Sequence, residues 1–308
     1  MYKFLHIQSA LSYTINVTLI EKNGGFMGLF DSMKENNDKR KKISKCKSDA
    51  RDYVRKGNDK YDRKYEKVRT VAGKLSYDLY KYGVEKKEIL KKIESEIQPT
   101  LHEFSRMDID MKTIHDFEIP DDEKMSLSME SKSFSSLAQG HVGGIIKLPT
   151  NPVFDLFFTD IDDEYYEAMT LLNDAKSFYY DMLVEVGNLE RLLINLDAVK
   201  SFIYDEKIMF KELSQRLIEL KNILKNEMKE THYTEKRAIE LKSIFKIATS
   251  MSQMLSMRLI NEDFSINAEY MKQYKQLEVI NNSVKRFDIG NENGVSDLFS
   301  LLDQVIVN

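Results

Sequence analysis

The chain has one cysteine, four prolines, twelve glycines and no tryptophan in 308 residues. Cys46 has no second thiol to pair with, which excludes an internal disulfide scaffold and fits a reducing compartment. No run of 18 uncharged apolar residues occurs, so the sequence offers no ordinary membrane-spanning helix. The five histidines, His6, His102, His115, His141 and His232, are scattered and none has a His or Cys four residues away, which argues against a zinc site. All four prolines lie between Pro99 and Pro152. The proline-free stretches on either side are free to be long helices, because no residue there lacks a backbone N–H.

What is abundant agrees. Charged residues make up 31% of the chain and hydrophobic ones 42%, a mix that favours long helices over a β-sandwich. The formal net charge of -4 hides an asymmetry. Residues 34–92 carry 21 Lys/Arg against 10 Asp/Glu, and the rest of the chain carries the opposite excess. Basic and acidic arms of one chain can attract each other, or the basic arm can meet an anionic partner.

Apolar or small residues recur at Ile43, Cys46, Ala50, Tyr53, Gly57, Tyr61, Tyr65, Val68, Ala72, Leu75, Leu79 and Tyr82, continued by Ile89, Ile93 and Ile97. Steps of three and four with one stutter predict a helix with a coiled-coil seam. Gly57, Gly73 and Gly83 are its candidate bends, and Pro99 is expected to end or kink it, with Gln98 extended. A second seam runs Leu189, Leu192, Leu196, Val199, Ile203, Glu206, Phe210, Leu213, Leu217, Leu220, Leu224 in strict alternation. Only Glu206 is polar there, a candidate register-setting residue. Carboxylates at Asp160, Asp162, Asp163 and Glu164 suit that helix's N-terminus. With Asp155 they offer a weaker candidate cation cluster, although they lack the glycine and terminal glutamate of a calcium loop.

The expected fold is all-α: an elongated antiparallel coiled-coil hairpin of two long helices, with a small helical bundle at one end. The first long basic helix is placed at 27–98 and a connecting segment with a small apolar tip at 99–160. The second long helix is placed at 161–231, and short helices at 232–308 pack on the hairpin. The last are about Thr234–Leu259, Ala268–Phe287 with Asn267 as cap, and Ser296–Ile306. Met107–Lys132 reads as acidic and irregular. Residues 1–26 read either as translated leader sequence or as a genuine extension. Asn23-Gly24-Gly25-Phe26 before Met27 can be encoded as a purine-rich ribosome-binding site at a workable spacing from the ATG, which makes Met27 a candidate start.

Two surfaces stand out as candidate binding sites. Lys39, Arg40, Lys41, Lys42, Lys45 and Lys47 could neutralise phosphates of an anionic surface or form a solvated helix face. Gly140, Val142, Gly143, Gly144, Ile145 and Ile146 form a small uncharged tip that could touch a membrane or a partner, or pack as a loop. Gly140, Gly143, Gly144 and Lys147 miss the spacing of a phosphate loop. Cys46, between Lys45 and Lys47, reads first as a small core residue. Nothing in the pattern calls for a metal or cofactor, and no grouping of acid, base and nucleophile suggests an enzyme.

Met27-Gly28-Leu29-Phe30-Asp31-Ser32, opening a long charged helix, resembles a family of uncharacterised bacterial proteins with two long helices flanking a glycine-rich hydrophobic segment. The likeness continues at Val71-Ala72-Gly73-Lys74-Leu75 and at Ala248–Asn267. The family's central glycine-rich stretch is reduced here to Gly140–Ile146. A looser likeness, in architecture alone, is to α-helical pore-forming toxins. The strict seam without catalytic groups, the small apolar tip with the basic N-terminus, and the charge alone lead in turn to three functional expectations. The first is a non-enzymatic interaction or scaffold protein of bacterial type that binds a protein partner or itself. The second is a membrane-associated component of a multi-part helical pore or toxin-like defence system. The third is a nucleic-acid-binding helix pair. The compartment expected is the cytoplasm, with peripheral membrane attachment under the second expectation.

Overall fold

The computed structural model describes residues 25–105, 119, 125–139, 150, 160–230, 235–286 and 300. It contains α1 (Gly25–Ser105), α2 (Ser126–Ala138), α3 (Ile161–Glu230), α4 (Glu235–Ser256) and α5 (Ala268–Arg286). No strand occurs among the described residues; one isolated bridge pairs Ile260 with Ile266. The chain divides into two compact units. Unit 1 comprises Met1–Arg63 with Lys147–Gly187, and unit 2 comprises Lys64–Ile146 with Asn188–Asn308. The helices α1 and α3 contribute to both.

In unit 1, α1 packs on α3 through small residues. Ile43, Cys46 and Ala168 are buried together, with Ile161, Tyr165 and Leu172 against them. Ala50, Leu171 and Ala175 form the next layer. At Gly57 a Cβ would lie 3.4 Å from Met182 and Phe178, so the backbones approach closely. Lys39 bonds Asp162, Cys46 Sγ lies 3.5 Å from Met169 Sδ, Lys47 bonds Glu164 and Lys60 bonds the Tyr179 hydroxyl. Partner numbers therefore rise together along the two helices, at separations of 117 to 123. The pair is parallel.

Unit 2 repeats the direction independently. Lys86 meets Glu206, Glu96 meets Lys221 and Glu103 meets Lys225, at separations of 120 to 125. The expected antiparallel hairpin is thereby corrected in both units. A 3–4 seam buries the same face whichever way its partner runs, so it carries no direction; cross-pairs of opposite charge supply it. The helix α2 runs the other way along α1. Ser76 bonds Ser131, Arg69 bonds the Ala138 carbonyl, and Gly83 leaves room for Leu127.

Two boundaries also differ from expectation. The helix α1 passes through Pro99 to Ser105, with Gln98 helical. Ile97 and Thr100 on either side are buried, and that packing offsets the hydrogen bond a mid-helix proline forfeits. It also runs unbroken through Gly57, Gly73 and Gly83. The region expected to be irregular up to Lys132 holds the first half of α2, whose Leu127, Phe134 and Leu137 are buried. A serine-rich helix of weak intrinsic propensity forms here because one face packs.

The ends of the other helices have local causes. Asp160 Oδ1 accepts the Asp162 N–H at 2.9 Å, and Asp162, Asp163 and Glu164 fill the first turn of α3. Asn267 Oδ1 accepts the N–H groups of Glu269 and Tyr270 at the start of α5, while Lys285 and Arg286 occupy its last turn. Residues 257–267 form an ordered turn with Phe264 at φ 62°, a left-handed conformation that costs a bulky residue energy. Its ring packs 4.9 Å from that of Phe134, which holds it there.

Candidate functional site

The basic stretch lies on α1 in unit 1, where α3 has consumed part of its charge. Lys39 bonds Asp162 at 2.6 Å and Glu35 at 3.2 Å, and these hydrogen bonds, that to Asp162 foremost, raise its pKa above 10.5. Lys47 pairs with Glu164 at 2.7 Å, and Lys41 lies 3.9 Å from Asp38. Arg40, Lys42 and Lys45 have no ion-pair partner among the described residues. Arg40, Ser44, Lys47, Ser48 and Arg51 line one groove of about 540 Å³ with Asp52 and Glu164. Of the six candidate residues, Lys39 and Lys47 are thus paired and half-buried, Lys41 is paired but exposed, and Arg40, Lys42 and Lys45 are exposed and unpaired among the described residues.

Cys46 is buried. Asp160 serves as a cap and Asp162 as an ion-pair partner, and no cluster of three metal-ligating side chains occurs among the described residues. Gly140, Val142, Gly143, Gly144, Ile145 and Ile146 lie outside the described residues, as do Asp155 and most of Ser296–Ile306. Among the described residues no helix is long and apolar enough to cross a membrane.

The most elaborate polar arrangement, in unit 2, is one that sequence reasoning half missed. Glu206 was visible as the polar member of the α3 seam. Its partner Lys86, four residues after Tyr82 on the α1 seam, was hidden among the other lysines of a basic helix. Both side chains are fully buried. Lys86 Nζ donates to Glu206 Oε1 at 2.8 Å and to the Tyr270 hydroxyl at 2.7 Å, and that hydroxyl donates to Glu206 Oε1 at 2.6 Å. The ammonium sits 4.2 Å from the Phe210 ring centroid, with the rings of Tyr270 and Tyr82 farther off. Burial lowers the Lys86 pKa, opposed by the Glu206 charge. Burial first, then the same carboxylate, pushes Tyr82 and Tyr270 well above 10.0. Glu206 Oε2 and the Tyr82 hydroxyl are buried without a hydrogen-bond partner. With Lys86, Glu206 and Tyr270 all shielded from solvent, the arrangement joins α1, α3 and α5 rather than offering reactive groups.

A second buried carboxylate, Glu130 of α2, holds the turn before α5. Its Oε1 accepts the N–H groups of Leu259 and Ile260 at 2.5 and 3.1 Å and the Ser126 hydroxyl at 3.1 Å. Burial raises its pKa above 4.5, against the pull of those donors.

The outer face of α3 in unit 1 is the remaining feature. Heptad positions facing away from α1 are normally the most charged. Here Tyr166, Thr170, Asn173, Ser177, Tyr180 and Val184 share the exposed side with Asp163, Glu167, Asp174 and Asp181, while Met169 lies against Cys46 of α1. Tyr166 is 71% exposed, Tyr180 64% and Val184 62%. A Cβ at Gly187 would meet nothing within 4 Å. In unit 2 the exposed Ile194, Tyr204 and Ile208 stand among the exposed charges Arg191, Asp197 and Asp205. Comparison with protein-family models, curated proteins and solved structures finds no match.

Proposed function

We propose that this chain is a non-enzymatic interaction or scaffold protein that docks a protein on the outer face of α3 between Tyr166 and Gly187. The observation that supports this reading is the exposure of the large side chains Tyr166, Tyr180 and Val184 along one helix among acidic residues. Exposed tyrosines, with an apolar ring and a polar tip, are favoured at protein interfaces. A photo-crosslinking amino acid at Tyr180, in cells producing the chain, is expected to give a covalent protein adduct. The same group at Asn222, an exposed position of α3 in unit 2, is expected to give none. Absence of an adduct at Tyr180 would count against the reading.

A second reading, contact with an anionic membrane surface, draws on Arg40, Lys42 and Lys45, whose charges nothing among the described residues neutralises. Each such residue near an anionic bilayer contributes on the order of 1 kcal/mol. Flotation with vesicles containing phosphatidylserine tests it. Binding is expected to disappear when all three are replaced by Gln, and binding that is indifferent to lipid charge would exclude it.

A further inference from the structure

We propose that the groove between α1 and α3 in unit 2 binds a small zwitterion, an α-amino acid with an aromatic side chain. This goes beyond the interaction reading and uses a different surface. Opposite charges join the two helices in this unit at Glu85 with Lys207, Glu96 with Lys221 and Glu103 with Lys225. Asp78 and Lys200 stand one heptad before Glu85 and Lys207. Aspartate is a methylene shorter than glutamate, and no ion pair joins Asp78 to Lys200. The row of cross-pairs is left open there, over a groove of about 550 Å³. That volume lies within the range of small-molecule sites.

The lining selects the ligand. Besides Lys207, which Glu85 engages, four charged side chains line the groove: Asp78 and Lys81 from α1, and Asp197 and Lys200 from α3. All four are exposed, and none makes an ion pair or a side-chain hydrogen bond among the described residues. A simple anion would face the two aspartates, and a simple cation the two lysines, so like charge works against either. A molecule that carries an ammonium and a carboxylate together finds an opposite partner for each. Leu75 and Ile203 supply buried apolar surface, and Tyr204, 67% exposed, supplies an open ring. An aromatic side chain on the ligand can pack against that ring offset or edge-on.

Saturation-transfer NMR on the full chain with L-phenylalanine tests the site. Titration is expected to give a dissociation constant of about 1 mM or tighter. 3-Phenylpropanoate lacks the ammonium and 2-phenylethylamine lacks the carboxylate, and each should bind at least tenfold more weakly. Asp197→Asn and Lys200→Gln should each weaken phenylalanine binding at least tenfold. Asp78→Glu should abolish it, because the longer carboxylate reaches Lys200 as Glu85 reaches Lys207 and closes the groove. Helicity by circular dichroism should be unchanged in all three variants, since the substituted residues are exposed. No binding of L-phenylalanine, equal affinity for either single-charge analogue, or binding that any of the three substitutions leaves unaltered would overturn the proposal.

Discussion

Lys86 and Glu206 are expected to be worth far more as a pair than either is alone. Removing one member of a buried ion pair strands the other and costs about 3–5 kcal/mol. The surroundings place the two single variants at different points of that range. In Glu206→Leu, the ammonium keeps the Tyr270 hydroxyl and the face of Phe210 4.2 Å away. A desolvated cation over a ring gains about 2 kcal/mol, and the amine can shed its proton. The expected cost is therefore about 3 kcal/mol. In Lys86→Met, the carboxylate keeps one bond from Tyr270, while its Oε2 already lacks a partner. The expected cost is about 4–5 kcal/mol.

The double variant should be less damaged than either single one. It strands only the Tyr270 hydroxyl, at about 1–3 kcal/mol, and adding Tyr270→Phe should return stability to wild type or above. Urea unfolding of the four variants and wild type, followed by circular dichroism, measures each step, and the coupling follows from the cycle. A double variant as unstable as the sum of the singles would refute the reasoning. So would either single costing less than about 1 kcal/mol, since a fully buried charge cannot be stranded so cheaply.

Glu130→Gln keeps the acceptor for Leu259 and Ile260 but cannot ionise. A carboxyl whose folded pKa is raised contributes stability that is complete below its unfolded value near 4.5 and is lost as pH rises through the folded value. Wild type should therefore lose urea midpoint relative to Glu130→Gln between pH 5 and pH 8, and a gain would contradict the burial. Gly73→Ala should stabilise by about 1 kcal/mol, because the new Cβ meets Ala138 at an ordinary 3.6 Å and the helix gains propensity; thermal unfolding reads the shift. Asn267→Ala removes the α5 cap and should cost about 1 kcal/mol, with hydrogen exchange at Glu269 and Tyr270 accelerated.

The α3 seam from Leu189 to Leu224 was legible because strict three–four spacing leaves no other reading, and every apolar member of it is buried. Its start was legible in the carboxylates after Asp160, and the α5 start in Asn267. Direction was not, yet a faint signal existed. A hairpin turning between Pro99 and Asp160 would put Lys86 opposite residues near Asn173 and Glu206 opposite residues near Tyr53, leaving two seam charges unmatched. Only a parallel register pairs them. Lys86 escaped notice because one lysine in a basic helix looks like solvated surface until its seam position is counted. The helix α2 was hidden for a different reason. Ser126–Ala138 has little intrinsic helicity, and what stabilises it is burial of Leu127, Phe134 and Leu137 on a surface the sequence does not announce.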